Sequence, residues 1–216
     1  QVGQTSNLTM ASVRTQALSD FRAEAKLTDK YSQPIVGASV LFSFVYTGTT
    51  VTVTGITNSS GTAAGNFTAP AFTGTFAVNA VFDGDESFAG SQAGATVLVS
   101  QRSTTMLAFP QPSAVAGIDT NLQAQLLDTT EGGSAAMVGQ LISFIFENST
   151  YTATTDAEGV AYVSVPVPEA SGIYYFTAKY EGTTIFTGAT SQAKVTVGRR
   201  TSMLFVSPVS PYEIGR

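Results

Sequence analysis

Apolar and polar residues alternate along most of this chain with a period of two. The clearest run is apolar at every second position: Phe21, Ala23, Ala25 and Leu27. The surrounding residues 14–30 are rich in good helix formers, so propensity alone favours a helix there. A period of two is instead typical of a strand with one buried face. We therefore predict a strand, and the frequent Gly and Pro turn signals elsewhere predict many short strands, as in a β-sandwich or barrel.

The chain repeats itself after 98 residues. The sequence VFDGDESFAG at residues 81–90 returns as KYEGTTIFTG at residues 179–188. The alternating apolar positions just before these segments also match, with Phe76, Val78, Ala80 and Phe82 corresponding to Tyr174, Phe176, Ala178 and Tyr180. A repeat of ~100 residues is long enough to bury its own core. The repeat therefore predicts tandem domains rather than one continuous fold.

The two copies differ in their loops. The offset rises to 102 where Phe42 and Phe44 match Phe144 and Phe146, so the first copy should have a longer hairpin around residues 46–56. Further upstream the offset is 99, which gives the second copy three extra residues in an exposed Gly/Ser-rich loop at 129–136. Loops absorb such length differences at little cost in free energy.

The repeat also sets the predicted boundaries, with domains at residues 1–100 and 101–198. The opening QRSTTML at residues 101–107 recurs as RRTSML at residues 199–204, so residues 199–216 read either as the start of a third repeat or as an assembly strand. In the first hypothesis the chain is a piece of a longer array. In the second, a surplus strand pairs with a neighbouring subunit. The strand candidates are Met203, Leu204, Phe205, Val206 and Val209.

Composition excludes several classes of function. The net charge is −5, and Arg199 and Arg200 form the one basic pair, so the charge pattern of a nucleic-acid-binding protein is missing. No apolar run reaches the ~18 residues of a membrane helix. Without Cys or His, and with no nucleophile motif beside the few lysines, we predict that the protein is not an enzyme. Without disulfides, each domain depends on its apolar core.

Asparagine supplies one candidate modification. Four asparagines lie in Asn-x-Ser/Thr acceptor sequences: Asn7, Asn58, Asn66 and Asn148. Two of them, Asn58 and Asn148, fall in predicted turns, and Asn66 lies on the outward face of a predicted strand. The alternative interpretation is that Asn and Ser are simply common in turns. A glycan at any of the four would indicate a cell-surface protein.

An acidic segment supplies one candidate metal site. Asp83, Asp85 and Glu86 place three carboxylates within four residues, and calcium prefers several oxygens on a flexible loop. The second copy keeps the glycine at residues 181–184 but loses two of the carboxylates. We therefore favour a turn whose Asp side chain bonds to the backbone, and no metal site. Calcium is the one cofactor that these residues leave open.

Three segments together carry a resemblance to a known family. They are GASVLFSF from Gly37, the turn NSSGTA from Asn58 or DAEGVA from Asp156, and FAVNAVFDGDESFAGS from Phe76. They resemble the bacterial and archaeal Ig-like repeat domains of adhesins, S-layer proteins and surface filaments, over about residues 5–197. The resemblance implies an all-β fold of two tandem Ig-like β-sandwich domains, followed here by a surplus C-terminal strand. With no Cys pair and no Trp, the chain does not resemble an antibody domain.

The resemblance also implies a function and partners. The implied function is a non-enzymatic structural component of the extracellular cell surface, such as an S-layer, stalk or filament, that polymerises by strand addition. The alternative is an adhesin segment or carbohydrate-binding module that acts through loops at one end of a sandwich. The implied partners are copies of the chain or neighbouring Ig-like domains, and surface glycans for the alternative. Glycan binding by this fragment would separate the two hypotheses.

Overall fold

The computed structural model describes residues 3–201 of the 216-residue chain. Apart from one 3-10 turn at Thr130–Gly132, its regular structure is all β. Within the described range, no helix is long and apolar enough to cross a membrane. The chain divides into two compact units. Unit one comprises the chain up to Thr105 with Leu127–Ala135 and Glu181–Ala189, and unit two comprises Met106–Leu126, Ala136–Tyr180 and the described residues from Thr190.

Unit one contains eight strands in two sheets. The strands are β1 (Ser6–Met10), β2 (Val13–Gln16), β3 (Asp20–Asp29), β4 (Ser39–Tyr46), β5 (Thr49–Ile56), β6 (Thr62–Thr68), β7 (Gly74–Gly84) and β8 (Ala89–Ser100). One sheet has the order β1-β3-β6 and the other β2-β8-β7-β4-β5. Strand β2 pairs parallel with β8, whereas the other pairs are antiparallel. Both sheets contribute to one shared core, which makes the unit a β-sandwich.

Strands of the second copy follow the same plan. They are β9 (Thr104–Phe109), β10 (Gln111–Val115), β11 (Thr120–Asp128), β12 (Ala135–Ala136), β13 (Leu141–Phe146), β14 (Ser149–Thr154), β15 (Val160–Val165), β16 (Gly172–Tyr180) and β17 (Ala189–Gly198). One sheet has the order β12-β11-β15, with β9 also paired to β11. The other has the order β10-β17-β16-β13-β14, and β10 pairs parallel with β17. The predicted all-β fold of Ig-like sandwiches is confirmed.

Strand registers coincide between the two copies. In the first copy Phe42 lies opposite Ala80, and in the second Phe144 lies opposite Ala178. The parallel pairs match as well, because Val13 faces Val97 just as Gln111 faces Val195. The offsets of 98 and 102 residues read from the sequence therefore relate residues that occupy equivalent places in the sheets.

The predicted strand within residues 14–30 is confirmed. Residues of β3 alternate between exposed and buried, and Ala23, Ala25 and Leu27 are at most 1% exposed. Helix propensity loses here because the alternation buries one whole face of β3 in the sandwich core, whereas a helix would scatter those side chains around its circumference. Tertiary packing therefore decides the local structure.

The predicted loop differences are confirmed for the hairpin and modified for the loop. Each strand of the β4–β5 hairpin has 8 residues and each strand of β13–β14 has 6, with a two-residue turn in both. The loop at residues 129–136 is exposed in large part, but it contains the 3-10 turn and β12, and Thr130 is buried. The polar groups of buried Thr130 are hydrogen-bonded: its backbone N–H donates to Asp128, and its hydroxyl accepts from the Ser103 N–H.

Aromatic rings fill the centre of unit one. The Phe44 ring centroid lies 5.0 Å from that of Phe21, 5.8 Å from that of Phe67 and 6.2 Å from that of Phe76. Ring pairs at such distances add about 0.5–1.5 kcal/mol each to the effect of burial. The second copy relies on fewer ring pairs, among them Phe144 with Phe176 at 6.1 Å. In both copies, the alternating positions read from the sequence supply these side chains.

A glycine turn leads from one sheet to the other in each copy, between β5 and β6 and between β14 and β15, and is hydrogen-bonded in the same way in both. Gly61 has a φ of +74°, and the Leu27 N–H donates to its carbonyl oxygen at 2.8 Å. Gly159 also has a φ of +74°, and Leu126 donates to it at 2.9 Å. A Cβ on Gly61 would lie 2.5 Å from the Leu27 carbonyl oxygen. This position therefore needs glycine both for its backbone angles and for the close approach.

We expect Gly61→Ala to destabilise the protein more than Gly37→Ala. Gly37 has a φ of +75° but open space around its Cβ position, so its substitution costs only the left-handed conformation, about 1–2 kcal/mol. Gly61→Ala adds a collision with backbone atoms, which typically costs a further ~1–3 kcal/mol. Urea unfolding of both variants measures the difference. Equal losses would show that the close approach to Leu27 is not a constraint.

Candidate functional site

All four sequon asparagines are exposed. Asn7 lies on β1 and Asn66 on β6, while Asn148 lies in the turn between β13 and β14. The fourth, Asn58, precedes the Gly61 turn, and its side-chain oxygen accepts hydrogen bonds from the Ser60 and Thr62 N–H groups at 2.9 and 3.1 Å. Those bonds leave its side-chain nitrogen, the atom that carries an N-linked glycan, uninvolved. Each site is thus sterically open to modification.

The acidic segment is divided between a strand and a turn. Asp83 is an exposed residue of β7, and Glu86 is exposed in the turn that follows. Asp85 accepts hydrogen bonds from the Ser87 and Phe88 N–H groups at 2.7 and 2.8 Å. In this geometry the Asp85 side chain stabilises the turn in which it lies. Within residues 3–201, no three His, Cys, Asp or Glu side chains are grouped to hold a metal ion.

Thr183 performs the task of Asp85 in the second copy. Its hydroxyl accepts hydrogen bonds from the Ile185 and Phe186 N–H groups at 3.1 and 3.0 Å. Residues 85 and 183 are related by the 98-residue offset. Since a hydroxyl replaces the carboxylate without changing the turn, the carboxylate of Asp85 is used here as a hydrogen-bond acceptor.

The predicted assembly strand cannot be placed. Its candidates Met203, Leu204, Phe205, Val206 and Val209 all lie outside the described residues. The nearest described residues are Arg200, whose guanidinium donates to the Gly117 carbonyl oxygen at 3.3 Å, and Thr201. The assembly strand therefore stays a prediction.

A charged cluster that the sequence analysis missed lies in unit one. The Nε and Nη2 atoms of Arg102 are both 2.8 Å from one carboxylate oxygen of Asp128. The side chains are only 21% and 12% exposed, respectively. The remaining nitrogen, Nη1, donates to the Ala17 carbonyl oxygen at 3.1 Å, and the Phe186 ring centroid lies 6.0 Å from the guanidinium carbon. The arginine is therefore held by charge, hydrogen bonds and an aromatic face together.

Opposing effects act on the pKa of Asp128. Burial alone would raise the pKa, because it disfavours the charged form. Hydrogen bonds from the Thr130 hydroxyl and N–H, and then the hydrogen bond and positive charge of Arg102, together outweigh burial and lower the pKa of Asp128 below its ordinary value of 3.8. The carboxylate is therefore ionised at neutral pH and paired with Arg102.

The repeat marks the two members of this cluster, although not their contact. Asp128 corresponds to Asp29 at an offset of 99, and Arg102 corresponds to Gln4 and to Arg200 at offsets of 98. The aligned copies show an arginine two residues after the last strand of each copy, Arg102 and Arg200, and an Asp at the end of the third strand of each copy. Their proximity is not visible, because it depends on how the chain folds back.

Comparison with known proteins returns fold resemblances alone. No family model and no curated protein sequence matches the chain. Similar solved structures include the fibronectin(III)-like modules of CbhA from Clostridium thermocellum, with 15% identity over 93% of this chain and 100% of that chain and a TM-score of 0.36. The titin domains z1z2, solved in complex with telethonin, give 16% identity over 93% and 100% with a TM-score of 0.48.

Bacterial adhesins are also among the similar structures. FdeC, an Escherichia coli adhesin, shows 17% identity over 89% of this chain and 64% of that chain, with a TM-score of 0.37. A tetra-tandem repeat from the extending region of a large adhesion protein shows 13% identity over 91% and 50%, with a TM-score of 0.39. The chain therefore spans about half to two thirds of these adhesin chains.

We expect Asp128→Asn to reduce the stability of the protein in a pH-dependent way. Because folding lowers the pKa of Asp128, its charged form stabilises the fold above about pH 4, and this contribution is lost as the pH falls through the folded-state pKa. The variant should be less stable than the wild type at pH 7, and the difference should shrink as the pH falls below about 4. Unfolding by urea at several pH values measures this.

Asp83→Asn is the matched control, because Asp83 is exposed on β7. It should leave the free energy of unfolding at pH 7 nearly unchanged, within about 0.5 kcal/mol. If Asp128→Asn behaved like this control at pH 7, the ion pair would not contribute to stability.

Proposed function

We propose that the chain is a non-enzymatic structural component of the extracellular cell surface, part of an S-layer, stalk or filament built from tandem Ig-like modules. The modules are residues 1–100 and 101–198. The observation that carries the proposal is the coincidence of strand registers in the two copies, each with its own buried aromatic residues. A repeated module that carries its own core adds length without requiring new interactions, which suits a spacer or lattice element.

The described surface is compatible with assembly through strands. Strands β5 and β14 lie at the edges of their sheets, and neither contains a charged residue or a proline. Natural proteins usually protect such edges with charges, prolines or short strands, since an open edge is a template for an added strand. Apart from the part of β5 at Gly55 that packs against Ala64 of β6, these edges are places where a strand from a neighbouring subunit would add.

The proposed donor of that strand is the C-terminal segment with Met203, Leu204, Phe205, Val206 and Val209. The support is sequence repetition, because RRTSML at residues 199–204 copies the opening of the second module. A strand pairing of this kind breaks only when a whole ladder of backbone hydrogen bonds breaks together. It would therefore produce long-lived polymers.

Deletion of residues 201–216 should leave both sandwiches folded and abolish polymerisation. The expected result is an unchanged circular dichroism spectrum and thermal midpoint, together with loss of filaments in electron micrographs, because the donor strand is gone. The full-length chain under the same conditions is the control. Unchanged filaments in the deletion variant would refute strand addition through this segment.

We also propose that one or more of Asn7, Asn58, Asn66 and Asn148 carry a glycan in the native protein. Exposure of all four supports this. In protein isolated from its source, peptides that contain an occupied site should exceed their sequence mass by a sugar-sized increment, and an Asn→Gln variant at that site should remove the increment. Asn79→Gln, on β7 and outside any sequon, is the control. Native peptides that cover all four sites and match their unmodified masses would rule out glycosylation.

A further inference from the structure

Arg200 makes a contact similar to one that Arg102 makes. Arg200 lies 98 residues after Arg102, and its Nη2 atom donates to the Gly117 carbonyl oxygen at 3.3 Å. The Nη1 atom of Arg102 donates to the Ala17 carbonyl oxygen at 3.1 Å. The two acceptors belong to equivalent turns, between β2 and β3 and between β10 and β11. Each arginine therefore reaches back to the same kind of turn.

These two turns are built alike. Three matching backbone hydrogen bonds hold each turn. In the first turn, the N–H groups of Ala17, Leu18 and Ser19 donate to the carbonyl oxygens of Ser100, Pro70 and Gln16. In the second turn, those of Ala116, Gly117 and Ile118 donate to the carbonyl oxygens of Gly198, Pro168 and Val115. The central residues, Leu18 and Gly117, have positive φ angles of 61° and 67°. The two arginines therefore bond to equivalent turns, although Gly117 lies one position beyond the counterpart of Ala17.

Arg200 differs from Arg102 in lacking a carboxylate. Arg102 pairs with Asp128, whereas the described residues offer Arg200 only the Gly117 carbonyl oxygen as a hydrogen-bond acceptor. Arg200 is exposed, while Arg102 is mostly covered. Among the described residues, Arg200 thus has one half of the arrangement that is complete around Arg102.

The first copy contains the other half. Asp29 corresponds to Asp128, and one of its carboxylate oxygens accepts hydrogen bonds from the Tyr31 and Gln33 N–H groups, each at 2.8 Å. Asp128 uses one oxygen in the same way, for the Thr130 N–H at 3.0 Å, and binds Arg102 with the other. That second oxygen of Asp29 has no hydrogen-bond partner among residues 3–201.

Gln4 occupies the backbone position of Arg102 in the first copy. Its N–H donates to Ser87 at 2.7 Å, and its carbonyl oxygen accepts from Ala89 at 2.8 Å. In the same way, the Arg102 N–H donates to the Ile185 carbonyl oxygen at 2.7 Å, and the Arg102 carbonyl oxygen accepts from the Thr187 N–H at 2.9 Å. A glutamine carries no charge, so the first copy has the carboxylate without the cation.

We propose that Arg200 of one chain binds Asp29 of a second copy of this chain, and that the segment through Arg200 takes the place of the segment through Gln4. The exchange conserves the two backbone hydrogen bonds and adds an ion pair that Gln4 does not make. Exchange of equivalent segments is a low-cost route to association. Because the two surfaces lie at different places on the chain, the contact is head to tail, and it propagates into an open filament when the rotation between copies does not close a ring.

This inference rests on the proposed function, in which copies of the chain assemble, and names a residue pair for that assembly. It does not depend on the strand candidates beyond Thr201. An ion pair covered as well as Arg102–Asp128 should matter to affinity, because removing one partner leaves the other charge buried and unpaired.

Exchange of the two charges tests the proposal. Sedimentation velocity of the full chain at low salt should show self-association that Arg200→Glu or Asp29→Arg alone weakens about tenfold or more. An equimolar mixture of these two variants should associate again, because every contact in it pairs opposite charges. Asp29→Asn is a second variant that keeps the acceptor oxygen for the Tyr31 turn, and Arg199→Glu is the control for adding a negative charge beside the site.

Gln4→Arg tests the exchange from the other side. The new arginine should pair with Asp29 within the same chain, so self-association should fall while the thermal midpoint rises. Self-association that is unaffected by Arg200→Glu, or that is not recovered in the mixture, would overturn the proposal, as would a wild-type chain that stays monomeric.

The outcomes separate this inference from strand addition. Loss of assembly on deletion of residues 201–216, with no effect of Arg200→Glu, would leave strand addition standing and overturn the Arg200–Asp29 contact. The reverse result would support that contact and refute the donor strand.

Discussion

Everything in this molecule depends on packing the apolar faces of two sheets against each other. No disulfide is available, because the chain has no cysteine. In the first copy Phe42 and Phe44 are fully buried and point to the same face of β4, and in the second copy Phe144 and Phe146 do the same from β13. A register slip of one residue would turn these rings toward solvent. The core therefore fixes the registers, which explains how two copies with few identical residues reach the same strand pairing.

The same constraint decides how much the sequence could reveal. The buried positions of the core produce both the period of two and the 98-residue repeat in the sequence. Strand β3, the relative hairpin lengths and the all-β class were therefore predictable. The repeat also favoured a turn at Asp85, because the second copy keeps the glycine but loses two of the carboxylates, and the structure shows that Asp85 and Thr183 accept equivalent hydrogen bonds in the two turns. Sequence could not predict the Arg102–Asp128 pair. Its members lie 26 residues apart and meet only because the chain folds back, and no periodicity records such a meeting.

The chain has few charged residues, so the positions of its ion pairs are informative. Of the ion pairs that the structure describes, Arg22–Glu24 lies along β3 with side chains 60% and 55% exposed, and such a pair contributes little to stability. Arg102–Asp128 is mostly covered, so breaking it leaves a covered charge unpaired, and the pair favours the one arrangement in which both charges are satisfied. In a chain with 12% charged residues, an arginine and an aspartate at repeated positions are well suited to specifying which segment docks where. A structural role needs that kind of selectivity more than it needs a reactive site.

The central claim is that this repeated sandwich serves as building material outside the cell. Immunogold electron microscopy of source cells, with an antibody raised against residues 3–201, tests it most directly. The account predicts label on a regular layer, stalk or filament at the outer surface of the cell. Label confined to the cell interior would contradict it.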